Sequence, residues 1–303
     1  MKTLAGRTAI ITGAGSGFGL EVARIAAREG MNLVLADVQQ DALASAAAEL
    51  EDAGASVLAM RVDVARAADV EALGGAVMQR FGAPHLVFNN AGVSGGGGLV
   101  WENSVRDWEW VLGVNVMGVA HGVRVFTPMM LAAAQRDPGY EGHIVNTASM
   151  AGLLSPPNMG VYNVSKHAVV ALSETLYQDL RLVTGQIGAS VLCPFFVPTG
   201  ITRSGRNRPA ELRADAARTR SQQVAQSMSD KAVGSGKVTA PQVAQFVIDA
   251  VREGRFYIYS HPRALRSVQT RMEDILAGRN PTDPFADKPE IGEQLRAALR
   301  DAR

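Results

Sequence analysis

Cysteine is almost missing from this chain: Cys193 stands alone among 303 residues. One thiol cannot build an internal disulfide framework or a cysteine-rich zinc site, and it suits a reducing compartment, so a cytoplasmic protein is expected. An excess of either charge is lacking too. Thirty Lys and Arg face 29 Asp and Glu, a formal net charge of +1, which offers no overall field for nucleic acid or an anionic membrane. No uninterrupted apolar run reaches the ~18 residues of a membrane span. The first apolar stretch, 8–12, runs straight into glycines and is too short for a signal peptide. What is plentiful is apolar residue, 47% against 19% charged. That is enough for a sizeable core and too much for disorder or a collagen-like repeat.

Short β-branched or Leu-rich runs alternate with longer Ala-rich amphipathic ones. Strands are expected at 7–12, 31–36, 55–62, 85–89, 143–148, 189–193 and 256–259. Helices are expected at 17–29, 39–52, 66–81, 104–136 and 162–183. The strands are apolar at consecutive positions, the pattern of burial on both faces in a parallel sheet. An α/β fold follows: a doubly wound parallel sheet of Rossmann type, a three-layer sandwich closing near residue 260. Two stretches break the rhythm. Residues 198–239 are polar and weakly helical and read as a mobile insertion over the substrate side. Residues 261–303 hold an amphipathic segment at 264–276, a Pro-rich link and a charged helix, and read as an appendage rather than a second domain.

The first strand ends in Thr12-Gly13-Ala14-Gly15-Ser16-Gly17-Phe18-Gly19 and leads into a helix. The spacing is T-G-x-x-x-G-x-G and not G-x-G-x-x-G, because Phe18 stands where the third glycine would fall. Its mechanics are those of a phosphate turn: glycine allows close backbone approach, and the helix presents free N–H groups to a pyrophosphate. An ordinary Gly-rich turn has the same composition; the position after the first strand of an alternating chain favours a nucleotide. Asp37 closes the second strand 18 residues beyond Gly19, near the ~20-residue offset at which an acid binds the adenosine ribose. A carboxylate there disfavours a 2′-phosphate, and neighbouring Val38 and Gln39 bring no guanidinium, so NAD is expected over NADP. Asp63-Val64 and Asn89-Asn90-Ala91-Gly92 end the third and fourth strands at the same sheet edge.

Tyr162 and Lys166, at i and i+4, share one face of a helix. A phenol with its usual pKa of about 10 is a poor base near neutrality; a neighbouring ammonium and an oxidised nicotinamide favour phenolate. A surface pair of the same spacing is the bland alternative. Ser149, 13 residues upstream, ends the fifth strand, where its hydroxyl can donate to a substrate oxygen. Asn115 lies in a Gly- and Val-rich stretch of the long helix. Either it is an exposed helical Asn, or the backbone is kinked there and holds a water near the lysine.

These residues resemble the short-chain dehydrogenases/reductases of single-domain type over about residues 1–260. The resemblance implies Tyr162 as general acid/base, Lys166 as the group that lowers its pKa and holds the nicotinamide ribose, Ser149 as the residue orienting the substrate oxygen, and Asn115 as anchor of a relay water. It also implies Gly13, Ser16, Gly17, Phe18 and Gly19 on the pyrophosphate, Asp37 on the ribose, and Asp63 and Val64 on the adenine. Asn90, Ala91 and Gly92 fall along the cofactor's centre, with Pro194, Val197 and Thr199 at the nicotinamide. One departure stands in the last motif: the family's Pro-Gly-x-Val-x-Thr reads Pro194-Phe195-Phe196-Val197-Pro198-Thr199 here, which changes the pocket's volume.

Ser94 to Gly98, Met150, Ala151, Leu153, Pro156, Met159 and Phe196 are candidate substrate contacts, unless Met, Leu and Phe are simply core. The set is mostly apolar and favours a bulky or aromatic secondary alcohol, or its ketone, as the small-molecule substrate. Arg203, Arg206, Arg208 and Arg213 crowd the insertion, either to meet an anion or as a solvated lid face. Residues 204–209 and the long appendage resemble bacterial benzylic-alcohol dehydrogenases acting on lignin-derived aryl ethers. The resemblance further implies a homo-oligomer, dimer or tetramer, paired through the helices at 104–136 and 162–183. No metal, nucleic acid or membrane is expected. A catalytically idle NAD(H)-binding sensor or scaffold is the alternative; a sugar-nucleotide epimerase is weakened by length and glycine spacing.

Overall fold

Strand follows helix along nearly the whole chain. The structure, a computed structural model, describes residues 1–213 and 217–300. Residues 214–216 of the expected insertion and 301–303 of the expected appendage lie outside the described residues. β-branched and Leu-rich pieces form β1 (Thr8–Thr12), β2 (Asn32–Asp37), β3 (Val57–Arg61), β4 (Leu86–Asn89), β5 (Gly142–Thr147), β6 (Ile187–Cys193) and β7 (Tyr257–Tyr259). The helices are α1 (Gly17–Arg28), α2 (Gln40–Asp52), α3 (Ala67–Phe81), α4 (Val105–Leu112), α5 (Gly118–Arg136), α6 (Gly160–Val183), α7 (Arg220–Gly234), α8 (Ala240–Glu253), α9 (Leu265–Leu276) and α10 (Pro289–Arg300). The seven strands, all parallel, run in the order β3-β2-β1-β4-β5-β6-β7.

Successive strand residues divide between two cores. Ile11, Leu33, Leu35, Phe88 and Val145 pack with the apolar stripes of α1, α2 and α8 on one face. Ile10, Val34, Val87 and Ile144 pack with those of α3, α5 and α6 on the other. The continuous apolar pattern of the inner strands therefore has the meaning expected of it. β3 alternates between half-buried and exposed positions because it forms the sheet edge. The order reverses direction between β1 and β4, and the crevice beyond the carboxyl ends of those two strands is where such sheets take ligands.

Two expectations need correction. The single helix at 104–136 is interrupted by a π-turn over Gly113–Met117. The whole stretch, 105–136, is long and apolar enough to cross a membrane by length and composition. One face of it packs into the sandwich, where Phe126 and Met130 are buried in one cluster with Val87 and Ile144. The weakly helical stretch contains a full helix, α7, nucleated by a capping box in which Thr219 and Gln222 satisfy each other's backbone N–H groups. It also contains α8's cap, Thr239 with Gln242, from which α8 runs to pack against α1.

Close helix-to-sheet approach depends on single glycines. A Cβ on Gly122 of α5 would stand 2.0 Å from Oδ1 of the buried Asn89. Gly122→Ala should therefore lower the unfolding free energy by about 1–3 kcal/mol. Gly75→Ala, on the exposed face of α3 with nothing within 4 Å, should raise it by about 0.5–1 kcal/mol through helix propensity. Urea midpoints of the two variants check both signs.

Candidate active site

A cavity of about 1230 Å³ opens along the carboxyl edge of the sheet. At one end it is lined by Gly13, Ser16, Gly17 and Phe18 of the loop before α1, and by Asp37 after β2. Gly13 and Gly17 have φ of 66° and 57°, a region that favours glycine. Gly19 does not line the cavity; its hydrogen lets α1 sit on the loop, since a Cβ there would fall 2.1 Å from the Gly13 carbonyl oxygen. The Asp37 carboxylate accepts the Gly15 N–H at 2.9 Å and the Gln39 N–H at 2.9 Å. The acid and the glycine loop are thus one hydrogen-bonded unit.

Asp63 and Val64 line the cavity beyond β3, and Asn90, Ala91 and Gly92 beyond β4. Thr12, which sequence reasoning passed over, joins β1 to β4: its hydroxyl accepts the N–H groups of Asn90 (2.9 Å) and Ala91 (3.1 Å). Asn90 returns a side-chain bond to the Thr12 carbonyl at 2.9 Å. The T of the T-G-x-x-x-G-x-G spacing was the available signal. The cleft fits a dinucleotide on these observations: positive-φ glycines at a helix N-terminus, a carboxylate 18 residues after Gly19, and a continuous cavity between them.

At the cavity's other end stand Ser149, Tyr162 and Lys166. β5 delivers Ser149 at its carboxyl end, and the first turns of α6 deliver the other two. Lys166 is buried and its Nζ donates to the Thr147 carbonyl at 2.9 Å; Nζ lies 5.7 Å from the Tyr162 ring centre. Burial pulls the Lys166 ammonium down to about 8, opposed weakly by the buried Cys193. Burial pushes the Tyr162 hydroxyl above its ordinary value, while a hydrogen bond with Ser149 draws it back. In the protein alone desolvation is the larger influence on the phenol, so its acid form is favoured.

Asn115 sits in the π-turn and is fully buried, so it is not an exposed helical Asn. Its amide oxygen accepts the Val93 N–H (2.8 Å), and its nitrogen donates to the Val93 carbonyl (2.9 Å) and to Ser165 Oγ (3.0 Å). The side chain is thus occupied in tying the β4 loop to the helix of Tyr162 and does not line the cavity. Pro194, Val197 and Thr199 do line it.

Of the substrate candidates, Ala151, Met159 and Phe196 line the cavity, with Ser94 and Pro156. Met150 does not. It is 1% exposed and packs with Val169, Val170 and Val191, because the short turn after Ser149 points it into the core. Gly95 to Gly98 and Leu153 do not line it either. Gly97 and Gly98 let the backbone pass under α7, where Cβ atoms would stand 2.6 Å from Ala225 and from Gln222. Lining that was not foreseen comes from Trp110, Leu154, Leu212, Val233, Ile275 and Phe285. Most of these sit on elements distant in sequence, where no local pattern marks them. The four arginines separate: Arg208 Nη1 pairs with Asp107 at 2.6 Å, Arg206 bonds to Gln39, and Arg203 and Arg213 are exposed.

Residues 7–210 match the family model for short chain dehydrogenases. The chain is 32% identical over 285 residues to the CLA biosynthesis dehydrogenase/reductase of Lactiplantibacillus plantarum, covering 93% of this chain and 97% of that protein. It is 30% identical over 306 residues to the C alpha-dehydrogenase of a Sphingobium species, covering 99% and 94%. A crystal structure of a short chain dehydrogenase/reductase from Burkholderia phymatum in complex with NAD is 55% identical, with a TM-score of 0.91 over 94% of this chain and all of that one. The chain belongs to the short-chain dehydrogenase/reductase family and is an oxidoreductase.

The buried lysine has a consequence for stability. Below about pH 8 both the folded and the unfolded chain hold its proton and the full cost of burying the charge is present. Between about 8 and 10.5 the folded chain releases the proton first, so stability rises with pH through that window. Relative to Lys166→Met, the gain should approach about 3 kcal/mol, at 1.4 kcal/mol per unit. Urea denaturation of both proteins at pH 7.5 and 10 measures it; a pH-independent difference would refute the burial argument.

Proposed function

We propose that this chain is an NAD-dependent dehydrogenase that interconverts a bulky, largely apolar secondary alcohol and its ketone. The observation that carries the reading is the meeting of Ser149, Tyr162 and Lys166 at one end of a cavity whose other end is Asp37 and the glycine loop. The bound nicotinamide supplies the hydride chemistry. The chain's own residues handle the oxygen and its proton. Ser149 Oγ donates to the substrate oxygen and sets it beside Tyr162. The Tyr162 hydroxyl, kept protonated by burial, gives its proton to a ketone oxygen; in the other direction its phenolate takes the alcohol proton. Lys166, with a pKa near 8, supplies the charge that accompanies the phenolate. Asn115 holds the loop and helix in register through Val93 and Ser165.

The adenosine end supports NAD. The Asp37 carboxylate occupies the ribose position, where a 2′-phosphate would meet like charge. The similarity to a structure in complex with NAD agrees with this, and the likeness to a C alpha-dehydrogenase supports dehydrogenation as the reaction class. Walls of Leu154, Met159, Phe196, Leu212 and Ile275 support a large apolar substrate. In this reading residues 1–260 carry cofactor and catalysis, while 198–239 and 261–303 shape the substrate side, and the chain acts in the cytoplasm. A homo-oligomer, dimer or tetramer, is supported by exposed Met117 on the π-turn and by Val164, Leu182 and Val183 on α6.

Two measurements test the reading. Tyr162→Phe should cut kcat by about 10²–10⁴-fold against aryl secondary alcohols and leave NADH affinity unchanged; full activity in the variant would defeat the assignment. Steady-state kinetics should show kcat/KM for NAD exceeding that for NADP by at least about tenfold, or 1.4 kcal/mol. Equal values would remove Asp37 from the ribose site. Binding of NADH with no turnover of any alcohol or carbonyl would leave a sensor.

A further inference from the structure

The 3-10 helix Gly200–Asn207, which follows Thr199, is tied down at both flanks of the cleft. Ser204 Oγ accepts the Ser94 N–H at 3.0 Å, on the loop after β4. Arg206 Nε donates to Gln39 Oε1 at 3.3 Å, on the loop after β2, 167 residues away in sequence. β1 and the glycine loop lie between those two strands, so the segment crosses the cleft as a strap. Its Thr199 end lies against the loop: a Cβ on Gly17 would come 3.8 Å from the Thr199 side chain. Arg206 is fixed from behind as well, since Nη1 donates to the carbonyls of Gly200 (3.2 Å) and Arg203 (2.9 Å). Nη2 lies 3.4 Å from where a Cβ on Gly200 would stand and has no protein partner among the described residues. Arg206, Ser16, Gly17 and Asp37 line one cavity.

A charge imbalance gives this placement its meaning. A pyrophosphate brings two negative charges to a loop, residues 13–19, that holds no cationic side chain, and Asp37 adds a third. Helix N–H groups and the helix dipole offset part of this. A guanidinium is the planar donor suited to phosphate oxygens. We infer that Arg206 is a cofactor-binding residue, its guanidinium contacting the pyrophosphate from the side opposite the α1 N-terminus and, through Gln39, closing the strap over the adenosine half of the dinucleotide. This rests on the dinucleotide reading of the cleft.

Calorimetric titration of the full-length protein with NADH, ADP-ribose and adenosine tests it without any turnover. Arg206→Ala should weaken NADH and ADP-ribose by about tenfold, weaken adenosine by no more than about twofold through the released strap, and flatten the salt dependence of ADP-ribose binding. Arg206→Lys should recover part of the loss, and Gln39→Ala, which keeps the charge, should lose less. Unchanged ADP-ribose affinity in Arg206→Ala, or an equal loss for adenosine, would overturn the assignment. Wild-type protein that binds adenosine but gains nothing from ADP-ribose would overturn it as well. If the wild type binds none of the three, the dinucleotide reading itself falls, and the assignment with it.

Discussion

The site depends on one buried ammonium. Lys166 enters the sandwich between α6 and the end of β5, and the Thr147 carbonyl accepts a hydrogen bond from Nζ at 2.9 Å. Burying a charge is costly unless it is hydrogen-bonded, and the carbonyl of the last β5 residue supplies that bond. The bond fixes α6 against the strand that carries Ser149, and so sets Tyr162 opposite that serine. Around it lies a set of buried amides and hydroxyls: Asn115 clamps Val93 and Ser165, and Asn146 bridges Asn89 and Ser173. Each joins two elements that meet only in the folded chain.

Desolvation, rather than the neighbouring charge, dominates both ionisable groups of the pair. It lowers the lysine and raises the tyrosine, which moves the two proton affinities apart. The protein by itself therefore holds the acid form of the tyrosine. The residual cost of this arrangement is carried by the two hydrophobic cores on either side of the sheet.

The cleft has two dissimilar walls. The inner wall, made of strand ends and the turns that follow them, is short in sequence range and rigid. The outer wall is assembled from 200–212, α7, α9 and residues 281–287, held by separate contacts such as Arg208 with Asp107 and Asp274 with Arg279 and Thr282. The inner wall carries the glycine loop, Asp37 and Ser149, and the outer wall carries Arg206, Leu212, Val233, Ile275 and Phe285.

The strand and helix pattern was legible because period and composition are local: every expected strand appears within two residues of its place. The glycine loop, Asp37, Ser149 and the Tyr162–Lys166 pair were legible for a related reason. Each is a short motif tied to a strand end, and a doubly wound sheet brings all strand ends to one edge. Met150 was misplaced because one residue of a tight turn decides between core and cavity, and adjacent positions have the same composition. Arg206, Leu212, Ile275 and Phe285 could not be found from spacing, since their place in the cleft comes from packing between elements far apart in the chain, as where Arg206 meets Gln39 across 167 residues. The chain order of residues thus determined the sheet, its ligand edge and the chemistry offered there. Tertiary packing alone decided the shape of the outer wall and the protonation balance of the tyrosine and lysine, because burial is a property of the assembled fold.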